Sequence, residues 1–318
     1  MPVYAFIFPG QGSQAVGMGR DIAAAFAAAR EVFDEVDETL KQKLSKLMFE
    51  GPAEELTLTE NTQPALMAHS LAVLRVLQRE GGFVLADRAV VVAGHSLGEY
   101  SALAAAEAFT PAQAAALLRL RGQAMQKAVP AGAGAMAALL GAEMELVQAI
   151  CAEAAEGPEG RQVVEPANDN GGGQVVISGH KAAVDRAIEV AKSKGVRRAM
   201  LLPVSAPFHC ALMAPAAEAM RAALENAPPG PPLVPVVANV SAAKATAPAE
   251  LVRLLVQQVT ATVRWRECVQ AMAALGVDSF AELGAGKVLS GLVKRIVPDA
   301  TASSVGTPAD IEQFLKTL

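Results

Sequence analysis

Short apolar runs alternate along this chain with longer segments whose apolar residues recur at helical spacing, a pattern typical of an α/β protein. Residues 4–8 and 90–94 are the clearest strand-like runs of the N-terminal part. A polar cap at 59–64 precedes the long apolar segment 65–78. Further helices are predicted within 21–58 and at 101–108 and 112–127. The order indicates parallel strands connected by helices.

The pattern changes after residue 130. Strand, helix, strand, strand, helix and strand then follow within about seventy residues, which is the order of a ferredoxin-like unit. The glycine run 171–173 predicts a hairpin turn. We expect residues 130–204 to form a small inserted domain, and residues 1–129 and 205–318 to form one large domain. Within the insertion, strands are predicted at 135–140, 162–166, 174–178 and 197–204, and helices at 143–156 and 181–194.

Helical and strand-like segments alternate again downstream of the insertion. Residues 284–287, Gly-Ala-Gly-Lys, are similar to a phosphate-binding loop, but Val288 stands where serine or threonine must bind magnesium. We therefore reject a nucleotide site there. Helices are predicted at 214–226, 249–259, 266–275 and 287–296, the last clear helix, and strands at 233–238 and 279–283.

The turn after the second strand carries the clearest chemistry. Gly94 and Gly98 flank Ser96 in the pattern Gly-x-Ser-x-Gly, between a strand-like run and an alanine-rich helical segment. Such a sharp turn leaves no room for a Cβ at either glycine and lifts the serine hydroxyl clear of the sheet. It also places the Leu97 N–H at a helix N-terminus, where it can face an oxyanion. We predict a nucleophile at Ser96; the alternative is an ordinary turn with a surface serine.

An oxyanion hole needs a second N–H group, usually from another loop at the strand ends. The loop 9–14 follows the first strand and is rich in glycine and glutamine. Its glycine spacing does not fit a dinucleotide-binding loop. We take Gln11 as the candidate donor.

A serine nucleophile needs a general base, and histidine is the usual one near neutral pH. The chain has four histidines. His69 lies in an apolar helical segment, His180 follows a strand of the insertion where solvent should surround it, and the His95 ring should point away from its neighbour Ser96. Elimination leaves His209, in a loop of the large domain.

The group that orients the His209 imidazole stays open. Asp169 and Asp185 lie in the insertion, whereas a hydrolase of this fold normally carries its acid in the main domain. A backbone or side-chain carbonyl could orient the ring instead. The missing acid weighs against a serine thioesterase, the nearest rival function.

The predicted helix 112–127 carries an arginine on its apolar face. At about 100° per residue, Arg121 lies in the stripe that contains Leu118 and Met125, whereas Arg119 falls on the opposite face. A buried guanidinium needs an anionic partner. That partner is either an internal acid or a ligand carboxylate held bidentately, and periodicity does not choose between them.

Composition narrows the function further. Of the 318 residues, 52% are hydrophobic and 19% charged, and no segment has the pattern of a membrane span or a signal peptide. Three widely spaced cysteines suit neither a disulfide framework nor a metal site, which predicts a cytoplasmic protein. A net charge of −5 argues against nucleic-acid binding. We expect a monomer without metal or cofactor.

With these residues assembled, the chain resembles, over nearly its whole length, the malonyl-CoA:acyl carrier protein transacylases of type II fatty-acid synthesis. The resemblance implies a hydrolase-like α/β core with a parallel sheet and a ferredoxin-like insertion. It implies malonyl transfer to the phosphopantetheine thiol of holo acyl carrier protein by ping-pong kinetics. The segments that carry it are Phe8-Pro9-Gly10-Gln11-Gly12-Ser13-Gln14, Gly94-His95-Ser96-Leu97-Gly98-Glu99-Tyr100, Arg121-Gly122-Gln123-Ala124-Met125-Gln126, Gln174-Val175-Val176-Ile177-Ser178-Gly179, Phe208-His209, Gln258 and Glu282-Leu283-Gly284-Ala285-Gly286-Lys287-Val288-Leu289.

The resemblance also implies a role for each site residue. Ser96 and His209 are then the catalytic pair, and the N–H groups of Gln11 and Leu97 form the oxyanion hole. Arg121 is implied to grip the malonyl carboxylate. The family further implies that Gln258 orients the imidazole of the base through a carbonyl.

Two positions depart from the family pattern. Phe208 stands where some members have serine, which leaves the preferred acyl group open, and Ala285 replaces a common proline. An acyltransferase of polyketide assembly and a non-catalytic carrier-binding scaffold remain as alternatives. Basic residues that could attract an acidic carrier and CoA phosphates, although each could equally be a solvated charge, are Lys192, Lys194, Arg197, Arg198, Arg264, Arg266, Lys287 and Lys294.

Overall fold

The computed structural model describes residues 2–158 and 160–317. Its N-terminal part contains two strands that flank a group of helices. These elements are β1 (Tyr4–Phe8), α1 (Arg20–Ala25), α2 (Ala27–Leu40), α3 (Leu44–Glu50), α4 (Ala53–Thr57), α5 (Thr59–Gly81), α6 (Leu85–Arg88), β2 (Ala89–Gly94), α7 (Gly98–Ala105) and α8 (Pro111–Lys127).

The middle part has one helix before and one helix after its central hairpin. Its elements are β3 (Gly134–Leu140), α9 (Met144–Ala154), β4 (Glu156–Gly157), β5 (Gly160–Arg161), β6 (Val164–Asp169), β7 (Gln174–His180), α10 (Lys181–Ser193) and β8 (Arg198–Leu201).

The C-terminal part returns to alternating helices and strands after a short 3₁₀ turn at Ala211–Met213. Its elements are α11 (Ala214–Asn226), β9 (Val236–Ala238), β10 (Ala243–Ala245), α12 (Pro248–Gln258), α13 (Trp265–Ala274), β11 (Ser279–Leu283), α14 (Val288–Ile296), β12 (Thr301–Val305) and α15 (Pro308–Leu315).

The first and last parts of the chain share one six-stranded sheet in the order β10-β9-β2-β1-β11-β12. All neighbours in it are parallel except the edge pair β9 and β10. Strands β1 and β2 are buried because helices cover both faces, which is why their sequences are continuous apolar runs. The α/β class predicted from the pattern is confirmed.

The middle part forms its own antiparallel sheet in the order β6-β7-β3-β8. Helices α9 and α10 pack on it around a separate apolar core that includes Val147, Ile150, Ile177 and Val184. The limits at 130 and 204 that we assigned to this unit remain a prediction.

Several element boundaries differ from the expectation. Helix α5 begins at Thr59 rather than at residue 65, because its first polar side chains find partners: Asn61 Nδ2 and Thr62 Oγ1 donate to backbone carbonyls 2.8 and 2.6 Å away. Strand β12 and helix α15 were not predicted, since the polar alternation of Thr301–Val305 hides an edge strand. In the described part of the chain, no helix combines the length and apolar character needed to cross a bilayer.

Candidate active site

The turn between β2 and α7 has the sharp geometry that its glycines indicated. A Cβ on Gly94 would lie 1.9 Å from the backbone oxygen of Gly98, and a Cβ on Gly98 would lie 2.3 Å from that of Phe8. Ser96 takes a left-handed φ of 53°. Asn239 holds the strained turn from both sides: its Oδ1 accepts from Ser96 N at 2.8 Å and its Nδ2 donates to Gly94 O at 2.8 Å. Asn239 therefore stabilises the strained backbone conformation of Ser96.

The turn brings the Ser96 hydroxyl to a histidine 113 residues further along the chain. Ser96 Oγ lies 2.7 Å from His209 Nε2. On the other side of the ring, His209 Nδ1 donates to the backbone oxygen of Gln258 at 2.9 Å, which leaves Nε2 unprotonated and able to accept the hydroxyl proton. Burial, with the nearby Arg121 charge, lowers the pKa of His209 to about 3, so the imidazole is neutral near pH 7.

Arg121 reaches the same point from α8. The side chain is 1% exposed, and its Nη2 donates to Ser96 Oγ at 3.2 Å. Its other acceptors are amide oxygens, Gln63 Oε1 for Nη1 and Gln258 Oε1 for Nη2, both at 2.8 Å. The guanidinium also lies 5.7 Å from the Tyr100 ring centroid. Among the described residues it forms no salt bridge, so this buried cation has only uncharged neighbours in hydrogen-bond contact.

The two candidate oxyanion donors line one pocket with Ser96 and His209. Leu97 directly precedes α7, and Gln11 lies in the loop after β1. Neither of their backbone N–H groups has an acceptor within residues 2–158 and 160–317. Both N–H groups are therefore available to a ligand oxygen.

The pocket encloses about 110 Å³ between the large sheet and the inserted part of the chain. Its polar and cationic lining comes from Gln11, Gln63, His95, Ser96, Arg121 and His209, and from Asn168 of β6. The apolar lining comes from Met125, Met136, Leu202, Val204 and Phe208.

A buried polar network behind the pocket was not predicted from the sequence. Glu99 Oε2 accepts from Asn239 N at 2.9 Å and from Gln258 Nε2 at 2.8 Å. Gln258 Nε2 also contacts Ser96 O at 3.0 Å. Burial raises the pKa of Glu99 to about 7. The one available signal was an acid inside an alanine-rich helix; nothing comparable marked Asn239.

None of the other three histidines hydrogen-bonds to Ser96 Oγ in the described part of the chain, although His95 also lines the pocket. The His95 ring packs against Trp265, with 5.7 Å between centroids, and so points away from Ser96 as expected. His69 lies 3.0 Å from a backbone carbonyl, and burial lowers its pKa to about 4. His180 is half-buried and its Nδ1 accepts a backbone N–H at 3.0 Å, so the expectation that solvent surrounds it is wrong. The strand before it continues to this residue.

Comparison with known proteins places the chain among acyltransferases. A family model described as acyl transferase domain matches residues 5–311. The malonyl CoA-acyl carrier protein transacylase of Escherichia coli K12 is 48% identical over 316 residues, which span 99% of this chain and 100% of that protein. The crystal structure of an acyl-carrier-protein S-malonyltransferase from Bartonella henselae has a TM-score of 0.95 and 54% identity, with 99% of each chain covered. A malonyl-transacylase in complex with a type II PKS acyl-carrier protein has a TM-score of 0.95 and 43% identity, covering 99% of this chain and 100% of that one.

Proposed function

Because this chain belongs to the acyl transferase family, we propose that it transfers the malonyl group of malonyl-CoA to acyl carrier protein through a malonyl-serine intermediate. One observation carries the proposal beyond the family. Ser96 Oγ lies within hydrogen-bond distance of both a neutral imidazole and a buried guanidinium, which are the groups that activate it and select an acidic acyl group.

The first half-reaction uses the serine–histidine pair. His209 Nε2 takes the hydroxyl proton as Ser96 Oγ attacks the thioester carbonyl carbon. The N–H groups of Gln11 and Leu97 stabilise the resulting oxyanion. When the C–S bond breaks, the imidazolium returns the proton to sulfur and CoA leaves as a thiol. The malonyl group remains as an ester of Ser96.

The second half-reaction runs the same steps with a different thiol. His209 accepts the proton of the carrier's phosphopantetheine thiol, and the thiolate sulfur attacks the malonyl-serine ester. The C–O bond to Ser96 breaks and Oγ recovers the proton. Because the serine is regenerated only when the carrier arrives, the kinetics are ping-pong.

Arg121 explains why the acyl group should be acidic. A malonyl carboxylate would pair with the buried guanidinium, whereas an acetyl group would leave it with uncharged partners. Leaving a desolvated charge without its partner costs about 2–5 kcal/mol. Malonyl-CoA should therefore be used far more efficiently than acetyl-CoA.

The position of the carrier protein is a further part of the proposal. Four of the basic residues considered above have acidic partners: Lys192 with Glu189, Lys194 with Glu153, Arg264 with Glu267 and Arg266 with Asp169. The remaining four have no such partner in the described ranges, and we propose these as attractors of the acidic carrier: Arg197, Arg198, Lys287 and Lys294. Changing all four to glutamine should raise KM for the carrier and leave KM for malonyl-CoA unchanged.

Nucleophile, base and oxyanion donors all come from this one chain, so the proposed reaction needs neither a cofactor nor a second subunit. Cys151, Cys210 and Cys268 are buried and unpaired, which suits the reducing cytoplasm in which we place the reaction. A role in polyketide assembly is the second candidate, because one similar structure is bound to a type II PKS carrier. Comparing how fast the malonyl-enzyme is discharged by a fatty-acid carrier and by a polyketide carrier would separate the two.

The test is the intact mass of the protein after brief exposure to malonyl-CoA or acetyl-CoA. We expect a malonyl adduct on wild type, none on Ser96→Ala, and rapid loss of the adduct when holo carrier protein is added. Arg121→Ala should lower malonyl loading about 100-fold or more and leave acetyl loading nearly unchanged. Arg79→Ala, at an exposed ion pair remote from the pocket, is the matched control.

Two results would contradict the proposal. Steady release of free malonate without carrier protein would indicate a thioesterase. No adduct and no turnover, with carrier binding retained, would indicate the scaffold.

A further inference from the structure

The buried carboxylate of Glu99 has an uneven environment. Its Oε2 accepts two hydrogen bonds, from Asn239 N at 2.9 Å and from Gln258 Nε2 at 2.8 Å. Its Oε1 is buried and has no partner among the residues that the structure describes. A carboxylate placed only to stabilise the fold would be expected to use both oxygens.

The Gln258 amide lies between this carboxylate and the guanidinium of Arg121. Its Nε2 donates to Glu99 at 2.8 Å, and its Oε1 accepts from Arg121 Nη2 at 2.8 Å. Turning the amide by 180° would point its oxygen at the carboxylate and its NH₂ at the guanidinium, which would create two repulsive contacts. Ser96 O and Asn239 Oδ1 also accept from Nε2, at 3.0 and 3.3 Å, so Glu99 is the nearest of the acceptors that fix which end of the amide faces the arginine.

The same arrangement separates two opposite charges by one amide group. Arg121 has only uncharged acceptors in contact, so its charge stays available to a ligand. Burial raises the pKa of Glu99 to about 7, and the nearby Arg121 charge acts in the opposite direction. The other titratable groups near this pair are His209, the Tyr100 phenol and the Cys268 thiol. All three are uncharged near pH 8, because burial lowers the pKa of the first and raises the pKa of the other two. At pH 8 the carboxylate is therefore the negative charge that partly offsets the guanidinium.

We propose that Glu99 is a positioning residue for the carboxylate clamp: it holds the Gln258 amide with its oxygen toward Arg121 and moderates how strongly that arginine attracts a substrate carboxylate. This inference rests on the proposed function, because the clamp must bind a malonyl group. It separates two effects of one side chain, a hydrogen-bond acceptor and a charge.

The two effects predict opposite results for two substitutions. Glu99→Gln keeps an acceptor oxygen but removes the charge, so the ratio of kcat/KM for malonyl-CoA to that for acetyl-CoA should rise about three- to tenfold at pH 8. Glu99→Met lacks the charge as well and also removes the nearest acceptor of the amide, leaving Ser96 O at 3.0 Å and Asn239 Oδ1 at 3.3 Å. Compared with Glu99→Gln, the ratio should therefore fall at least tenfold, mainly through KM for malonyl-CoA. Glu282→Gln is the matched control, since Glu282 is also buried but belongs to the turn before α14.

Thermal unfolding gives a second readout that does not depend on turnover. Malonyl loading, verified by mass, should raise Tm more in Glu99→Gln than in wild type, whereas Glu282→Gln should show the wild-type increment. This readout keeps the proposal testable if Glu99→Met fails to fold.

The outcomes separate this inference from the proposed function. If wild type forms no malonyl adduct, both are overturned. If wild type loads normally but Glu99→Gln leaves both the ratio and the Tm increment at the control values, or lowers the ratio, the charge effect is overturned. A ratio in folded Glu99→Met within twofold of that in Glu99→Gln overturns the positioning effect.

Discussion

Two strand-to-helix turns of the large sheet invite comparison, because each keeps a glutamate fully out of solvent. The turn from β2 to α7 precedes Glu99, and the turn from β11 to α14 follows Glu282. Glu282 uses both oxygens, accepting from Leu289 N at 3.1 Å and from the N and Oγ of Ser290 at 2.7 Å each. Glu99 uses one oxygen for both of its donors.

The same difference appears at the helix starts. At α14, the Glu282 carboxylate occupies the N–H groups of the first turn, which are the groups that a bound anion would need. At α7, Leu97 N–H has no acceptor within the described ranges and faces the pocket. The Glu282 carboxylate thus satisfies the N–H groups at the start of α14, whereas the start of α7 has no such internal acceptor and stays open to a ligand. The glycine-rich loop 284–287 cannot hold phosphate for this reason, in addition to its missing hydroxyl.

The largest effect should come from alanine at the first glycine of each turn. In Gly94→Ala the new Cβ would meet the backbone oxygen of Gly98 at 1.9 Å, so the turn itself must move. We expect a loss of more than about 4 kcal/mol in unfolding free energy, and no malonyl adduct. In Gly284→Ala the Cβ meets Ser70 Oγ at 2.4 Å, at a φ of +123°. We expect about 1–3 kcal/mol there and retained activity.

A second substitution distinguishes the two kinds of clash. Ser70→Ala removes the hydroxyl that Gly284→Ala meets, so the double variant should recover part of the lost stability in chemical denaturation. No side-chain deletion can relieve Gly94→Ala, because its obstacle is backbone. Equal losses in the two glycine variants would contradict the view that only the first turn is sterically fixed.

A smaller effect concerns pH and the Glu99 carboxyl. Its pKa is raised by burial from 4.5 to about 7, so the native state holds its proton more tightly than the unfolded chain does. The stability that this proton contributes is complete below pH 4.5 and is lost as pH rises through 7. Between pH 5 and pH 8, wild type should therefore lose about 2–3 kcal/mol relative to Glu99→Gln.

Wild type is compared with Glu99→Gln because the buried histidines change the stability with pH in the opposite direction. Burial lowers the pKa of His69 to about 4 and that of His209 to about 3, so their contributions are present above pH 6.5 and decline as pH falls. These terms are common to wild type and Glu99→Gln and cancel when urea unfolding is compared at each pH. A difference that stays constant from pH 5 to 8 would show that Glu99 titrates as in water and would remove the contrast between the turns.

Local pattern was sufficient for much of the fold and for the centre of the site. The apolar runs identify β1 and β2 because these strands are buried on both faces, and the two glycines around Ser96 report a steric limit within five residues. Elimination among four histidines selects His209, which the structure brings to 2.7 Å from Ser96 Oγ. The catalytic roles of these residues remain predictions.

Contacts between residues that are far apart in the sequence could not be predicted from local pattern. Gln258 is 162 residues from Ser96, and Asn239 is 143 residues from it, so no spacing connects them to the turn they hold. Gln258 was expected only through family resemblance. Periodicity marked Arg121 as buried but did not identify what it faces, since a helical stripe reports burial and not the neighbour. The missed edge strand β12 has the same cause: pairing with β11 stabilises a sequence whose own pattern is polar.

The smallest effect tests the structural turn alone. Ser290→Ala deletes one of the three donors to Glu282 and leaves the two backbone N–H groups in place. A hydrogen bond to a charged group contributes about 1.5–3 kcal/mol, and solvent cannot replace this one because Ser290 is buried. We expect a loss near the lower limit, with kcat and KM unchanged.

Ser193→Ala is the control for this last substitution, because that hydroxyl also bonds within a helix but is exposed; it should change stability by less than about 0.5 kcal/mol. A fall in kcat for Ser290→Ala would mean that the turn before α14 communicates with the pocket. The turn before α14 would then not be purely structural. The fully hydrogen-bonded carboxylate of Glu282 would need a functional explanation, as the carboxylate of Glu99 does. Unchanged kinetics with lowered stability would instead confirm that a buried glutamate with both oxygens bonded serves the fold alone.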